Sequence, residues 1–327
     1  MTPVTASAPG KLILFGEHAV VYGHPCVVTA VDLRIRARAE VLGDDRVLLR
    51  VPGLPEPFAT NVEGLRGARR LPPAVRFVAL AVRRVWAEAG RAFGVEVATE
   101  SEFTSSYGLG SSSAATVATV KALSLEAGLR LDARCIFELS REAVLEAQEG
   151  WSSGFDVAAA TYGGTLYYVA GGEVIAPLGV GVLPLVVGYS GIKADTTECV
   201  RRVASRRERF PLLMETILEN IAPLAGEARE ALEHGDLARA GQLMNLNQGW
   251  LQALNVSTFE LDSLIEAARA AGAYGAKLSG AGGGDCMIAL VEDAARPRVE
   301  QAIEGARVPG AKVIRVRTGA EGVRVDG

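Results

Sequence analysis

Residues 107–115 read YGLGSSSAA: two glycines and three serines stand directly ahead of a run of small apolar residues. Glycine lets backbone N–H groups come close to a ligand, and a helix opening there adds its positive end. The pattern therefore suits a phosphate cradle, with Ser111 and Ser112 able to offer hydroxyls to phosphate or to a magnesium ion. The plainer alternative is a tight turn with a serine helix cap. No Gly-Lys-Ser/Thr follows, so the Walker pattern is absent. The dinucleotide fingerprint fails too, because serine takes its third glycine position.

A second glycine run, KLSGAGGGD at 277–285, lies between apolar strand-like segments. Three consecutive glycines cost backbone entropy, so something must approach the chain closely there: a phosphate or a neighbouring segment. Asp156 follows Ser152-Ser153-Gly154 and precedes a wholly apolar stretch, as a helix cap or a functional base would. Lys11 follows Pro9-Gly10 at the head of an apolar strand, and Glu17 and His18 occupy the next turn. On spacing alone Lys11 reads as a strand end, and Glu17 and His18 as turn residues.

Working outward, Lys11–Phe15, Cys26–Val31 and Leu33–Val41 predict β structure, and 43–67 predicts turns and short strands. Ala74–Ala89 has helical spacing, with Val75, Val78, Ala79, Val82, Val85 and Trp86 on one face. A helix is expected from the serines to about Ala127, with Gly128 closing it. Asp132 is placed to cap another that runs to about Glu149. Val95–Ala98 and Thr165–Val169 read as strands, and Val157–Tyr162 as a short apolar segment. Leu183–Val187 starts a second half as a buried strand. Helices are predicted over 196–208, 213–234, 236–254, 261–271 and 294–304, and strands over 286–290 and 312–316. Residues 1–182 and 183–327 are the two expected domains.

Composition narrows the function. The 34 Lys+Arg against 38 Asp+Glu give a net charge of −4, which argues against binding nucleic acid through bulk positive charge. Aromatics at 6% argue against a base-stacking platform. Four scattered cysteines and three histidines offer no ordinary zinc spacing, and fit a reducing, cytoplasmic setting. Neither a secretory leader nor an uninterrupted apolar run of membrane-spanning length is read, so no membrane association is expected.

APGKLILFGEHAVVYG at 8–23, YGLGSSSAA at 107–115 and KLSGAGGGDC at 277–286 occur in this order. Together they resemble the GHMP kinase superfamily over nearly the whole chain. The resemblance implies an α+β, two-lobed fold: an N-terminal lobe like ribosomal protein S5, a ferredoxin-like C-terminal lobe, and an active site between them. GEHAVVYG, the stretch at 243–257 and that at 267–277 look like the archaeal type of mevalonate kinase. SSGFDVAAATYGG at 152–164 and the GAGGGDC ending resemble phosphomevalonate kinases. The lead Thr104-Ser105-Ser106-Tyr107 departs from the family, which usually has proline there.

The activity so implied is phosphoryl transfer from ATP to the 5-hydroxyl of mevalonate. Phosphorylation of 5-phosphomevalonate is the alternative, and a binding-only homologue a third reading. Lys11, Ser112 and Asp156 are all retained, which argues against that third reading. By resemblance, Asp156 would orient the acceptor hydroxyl or take its proton, with Lys11 beside it. Gly108, Leu109, Gly110, Ser111, Ser112 and Ser113 would hold the ATP phosphates. Glu17, His18, Thr196 and Lys193, with Gly280, Ala281 and Gly282, would form the acceptor side. Ser112 would bind magnesium. The family's second metal carboxylate precedes the aspartate by eleven residues, where this chain has Leu145, and the neighbouring Glu146 is the expected substitute. The basic cluster Arg201, Arg202, Arg206, Arg207 and Arg209 reads as a solvated helix face. A homodimer is compatible with all of this.

Overall fold

The computed structural model describes residues 3–326. The chain opens with strand β1 (Val4–Phe15) and the 17-residue β2 (Pro25–Val41), which joins the two segments expected separately. There follow β3 (Arg46–Arg50), β4 (Phe58–Asn61), α1 (Val62–Gly67), α2 (Arg76–Glu88) and β5 (Val95–Ser101). Helices α3 (Ser111–Glu126), α4 (Ala133–Ala147) and α5 (Phe155–Tyr162) precede β6 (Thr165–Val169) and β7 (Val174–Pro177). The second half runs β8 (Leu185–Tyr189), α6 (Thr196–Arg209), α7 (Pro211–Glu233), α8 (Leu237–Ala253) and α9 (Phe259–Ala270). It continues with β9 (Gly275–Ser279), β10 (Cys286–Leu290), α10 (Arg296–Glu304), β11 (Lys312–Ile314) and β12 (Arg324–Asp326).

Two sheets result. The first has the order β12-β1-β2-β5-β3-β4, with β6 on the early part of β2 and β7 beyond it. Its core is filled by α2, α3, α4 and α5, and α2 buries the apolar stripe that its periodicity predicts. The second sheet has the order β11-β8-β10-β9, all antiparallel. With helices between β8 and β9 and between β10 and β11, this is the ferredoxin-like arrangement. A second cluster of apolar side chains, among them Leu261, Leu264, Ile288's neighbour Met287 and Val299, packs under it.

Two features position the site. The β1–β2 register shifts between Pro9 and Gly10, so the strand turns its next residue, Lys11, toward the start of α3. The Lys11 backbone N–H donates to the Leu109 carbonyl at 2.9 Å, which fixes strand to loop. At the far end of the chain, β12 leaves the second sheet's neighbourhood and pairs with β1. Arg34 staples it there: the guanidinium donates to Ser7 Oγ and to the carbonyls of Ser7, Glu321 and Gly322, all at 2.8 Å. A three-residue strand carries too little periodicity to be read in advance, and β12 was not among the sequence expectations.

Candidate active site

A cleft of about 260 Å³ opens where the three glycine-bearing motifs meet. Lys11 enters it from β1. Its ammonium donates to the Gly108 carbonyl at 2.8 Å and stands 5.6 Å from the centre of the Phe155 ring. The side chain is almost wholly buried. Burial pulls the Lys11 pKa down, and the nearby carboxylates of Asp156 and Asp285 oppose that shift.

Asp156 occupies the first turn of α5, which starts at the left-handed Gly154. Its Oδ2 accepts from Ser113 Oγ at 2.5 Å, and its Oδ1 from the Val157 N–H at 3.0 Å. The carboxylate is therefore held between the N-terminal turns of α3 and α5, and both helix ends favour negative charge. Ser113, expected on phosphate, spends its hydroxyl on this aspartate. Ser111 and Ser112 line the cleft, as do Gly108 and Gly110. Leu109 does not: its side chain is core, and its carbonyl holds Lys11.

Glu17, His18, Lys193, Thr196, Gly280 and Ala281, the residues expected on the acceptor side, also line the cleft. Glu17 forms a fully buried ion pair with Lys277, while its second oxygen, Oε2, has no partner. Burial pushes the Glu17 carboxyl up and Lys277 opposes it; burial likewise pulls Lys277 down against the pull of Glu17. His18 Nε2 meets the Ala281 carbonyl at 3.0 Å, so it must carry the proton and donate. Burial lowers the His18 pKa to about 4, with the Ala281 bond opposing, so the ring is neutral near pH 7.

Besides Leu109, two more expected residues lie outside the cleft lining. Gly282 faces the protein: its carbonyl accepts from Cys199 Sγ at 3.3 Å. Glu146, expected at the metal, is corrected. Helix α4 continues unbroken through it and turns its carboxylate to α2, where Arg84 binds it at 2.5 Å and Arg83 lies at 3.8 Å. The site also contains residues that were not anticipated. Asp285 lines the cleft, Lys277 partners Glu17, and Gln148 and Trp151 stand near the end of α4. The aspartate closing the second glycine run and the lysine opening it both stand in the sequence, but only the glycines between them carry a local signal. Of the α6 arginines, Arg201, Arg202 and Arg207 pair with Glu149, Glu198 and Glu215, Arg206 donates to the Leu254 and Asn255 carbonyls, and Arg209 lies over the Phe210 ring; none lines the cleft.

A second hollow of about 790 Å³ adjoins the cleft, with Ser105, Ser111, Ser112 and Lys193 shared between the two. Val51, Phe77 and Phe103 give it an apolar wall. Among the described residues no group of three His, Cys, Asp or Glu could cage a metal ion, and no helix is long and apolar enough to cross a membrane.

Residues 75–164 match the N-terminal domain of GHMP kinases, and residues 228–310 match the GHMP kinase C-terminal region. The chain is 38% identical to a mevalonate kinase of Pyrococcus horikoshii, over 99% of this chain and 98% of that one. A crystal structure of L. major mevalonate kinase in complex with R-mevalonate superposes with a TM-score of 0.76 at 29% identity, covering 96% of this chain and 95% of the other. Streptococcus pneumoniae phosphomevalonate kinase, with phosphomevalonate and AMPPNP, reaches a TM-score of 0.80 at 20% identity, covering 97% and 100%. At that identity the last likeness speaks for fold alone.

Proposed function

The chain belongs to the mevalonate kinases of the GHMP kinase family, and from that premise we propose that it moves the γ-phosphoryl group of ATP to the 5-hydroxyl of mevalonate. The product is 5-phosphomevalonate, in the mevalonate route to isoprenoids. One observation carries this reading: Lys11 and Asp156, brought from β1 and α5, face one cleft at the serine-rich opening of α3. In this reading residues 1–182, joined by the last strand β12, form the nucleotide-binding lobe, and the lobe bearing the third motif begins at 183.

The N–H groups at the start of α3 and its positive end hold the nucleotide phosphates. The adjoining hollow with Val51, Phe77 and Phe103 takes the nucleoside. Magnesium fits such a donor set from the nucleotide side, because an ion carried on phosphate oxygens needs few protein ligands. Ser112 would hold it, and when bound it offsets negative charge on those oxygens.

The chain's own residues do the rest. Lys11 places positive charge where the transferred group passes. Asp156, oriented by Ser113, aligns the acceptor hydroxyl in line with the phosphoryl group. A primary alcohol is a far weaker acid than a carboxylic acid, so the proton moves to Asp156 late, once the bond to phosphorus is largely made.

The charge inventory of the cleft favours mevalonate over its phosphate. The cationic residues lining it are Lys11 and Lys193, set against Glu17, Asp156 and Asp285, and His18 is neutral. One carboxylate on the acceptor finds a partner in Lys193. An additional phosphate finds no arginine among the described lining residues. The test is an acceptor panel of mevalonate and 5-phosphomevalonate with Mg-ATP, read by ADP release and product mass. Turnover of mevalonate is expected. Turnover of 5-phosphomevalonate alone would make SSGFD and GGGDC the informative motifs and overturn the assignment.

A further inference from the structure

We propose that Asp285 is a positioning residue whose carboxylate clasps the Lys193 loop onto the phosphate loop and holds Lys11 at the transfer point. The role in transfer rests on the kinase reading above. Asp285 ends the second glycine run with a left-handed backbone, φ 60°, a conformation costly for a residue other than glycine. Hydrogen bonds hold it there. Its N–H donates to the Ile192 carbonyl at 2.7 Å, its carbonyl accepts from the Ser190 N–H at 2.8 Å, and its Oδ1 accepts from the Ala194 N–H at 2.9 Å. Segment 190–194 is thereby sewn to one residue at alternate positions, with Lys193 carried between the last two.

The other carboxylate oxygen faces the phosphate loop. A Cβ built on Gly108 would stand 2.4 Å from Asp285 Oδ2, so that glycine is bare because the carboxylate occupies the space. The carbonyl of the same Gly108 receives the Lys11 ammonium. One buried side chain thus borders the Lys193 loop and the backbone that holds Lys11. Burial pushes the Asp285 pKa up, while the Ala194 N–H, Lys11 and Lys193 oppose that shift. The groups whose charge acts on Lys11 are Asp156 of α5, Asp285, Cys286 of β10 and Glu17 beyond β1, with the Phe155 ring over it.

Two substitutions separate clasp from charge. Asp285→Asn keeps an acceptor oxygen for Ala194 and removes the charge. Asp285→Gly keeps the left-handed backbone and the main-chain bonds and removes the clasp. The chain has only five lysines, so ¹³C-lysine labelling resolves Lys11, assigned by its absence in Lys11→Arg. In Asp285→Asn the Lys11 titration should move down by about 0.5–1 pH unit. Turnover should fall about tenfold with acceptor KM nearly unchanged. In Asp285→Gly, hydrogen exchange over 190–195 should accelerate and acceptor KM should rise about tenfold. An unshifted Lys11 titration in Asp285→Asn, or unaltered exchange over 190–195 in Asp285→Gly, overturns the proposal. Both are read on ligand-free protein, so they decide the role of Asp285 separately from the acceptor panel that decides the kinase reading.

Discussion

The two glycine turns of this protein use the same residue for different reasons. At the first, side chains of the site press on the bare backbone: Asp285 Oδ2 would lie 2.4 Å from a Cβ on Gly108, and the Lys11 stem 3.0 Å from one on Gly110. At the second, main chain presses. A Cβ on Gly282 would stand 2.1 Å from the Val256 carbonyl oxygen, and one on Gly284 would stand 2.6 Å from that of Ile192. A side chain can swing away, at the expense of what it does. A carbonyl held in a packed interior cannot, so the fold must give instead. Substitution at the first turn should therefore cost activity, and at the second, stability.

The largest effect tests whether chemistry belongs to the first turn at all. Asp156→Asn keeps the shape of the side chain that Ser113 holds and should lower turnover by about 10²–10⁴-fold. Nucleotide affinity, measured by calorimetry, should stay within a few-fold. Lost affinity with unaltered turnover per occupied site would remove Asp156 from its role. Lys11→Met fills similar space without the charge and should also cut turnover strongly, with nucleotide still bound.

The next effect contrasts the turns directly. Gly282→Ala adds a methyl against the Val256 carbonyl, which also accepts the Gly283 N–H at 2.8 Å. It should destabilise the protein by about 4 kcal/mol in denaturant unfolding. Gly110→Ala must adopt φ 76° and displace the Lys11 stem, so it should cost about 1 kcal/mol of stability. Its turnover should fall by well over the factor that such a loss of stability explains. Equal stability losses at the two sites would erase the distinction between them.

His18 ties the first motif to the second turn through Ala281, and this tie should respond to pH. Its folded pKa, about 4, lies below the ordinary value of 6.5. Between these values the unfolded chain binds the proton and the folded one does not. Stability is then complete above pH 6.5 and is lost as pH falls toward 4, by about 3 kcal/mol in all. His18→Asn keeps a polar side chain but removes the titrating ring, and should remove that slope from a plot of unfolding free energy against pH. An identical slope in the variant would assign it to other groups.

How much of this was legible follows from what each feature depends on. Asp132 capping at Cys135, the stripe of α2 and strand β10 depend on local chemistry, and their positions were read from the sequence. The family motifs likewise brought Lys11, Asp156 and the serines to one place. The misplaced residue, Glu146, depended on where α4 stopped relative to a loop, and helix ends are weakly written in sequence. Asp285 and Lys277 carry no local signal, because their roles come from partners far along the chain, at Gly108, Ala194 and Glu17. The second glycine run admitted two readings, a phosphate or a neighbouring segment. Spacing held nothing to choose between them, since Val256 and Ile192 reach it only in the folded state.

The smallest effect sharpens the comparison inside the second turn. Gly283 differs from its neighbours: a Cβ there would meet a side chain, Cys199 Sγ at 2.7 Å, and no backbone atom within 4 Å. It should therefore behave like a first-turn glycine set in the second turn. Gly283→Ala should be destabilising through its left-handed backbone and this one contact. Cys199→Ala should cost less, through the loss of its bond to the Gly282 carbonyl. Combined, the two changes should lose about 1 kcal/mol less than the sum of the singles, because removing the sulfur opens the space the methyl needs. A Gly282→Ala, Cys199→Ala pair should show no such relief, since the Val256 carbonyl stays where it is. Matching coupling energies in both cycles would mean that the turn relaxes as a unit, and the distinction between side-chain and main-chain neighbours would fail at its finest scale.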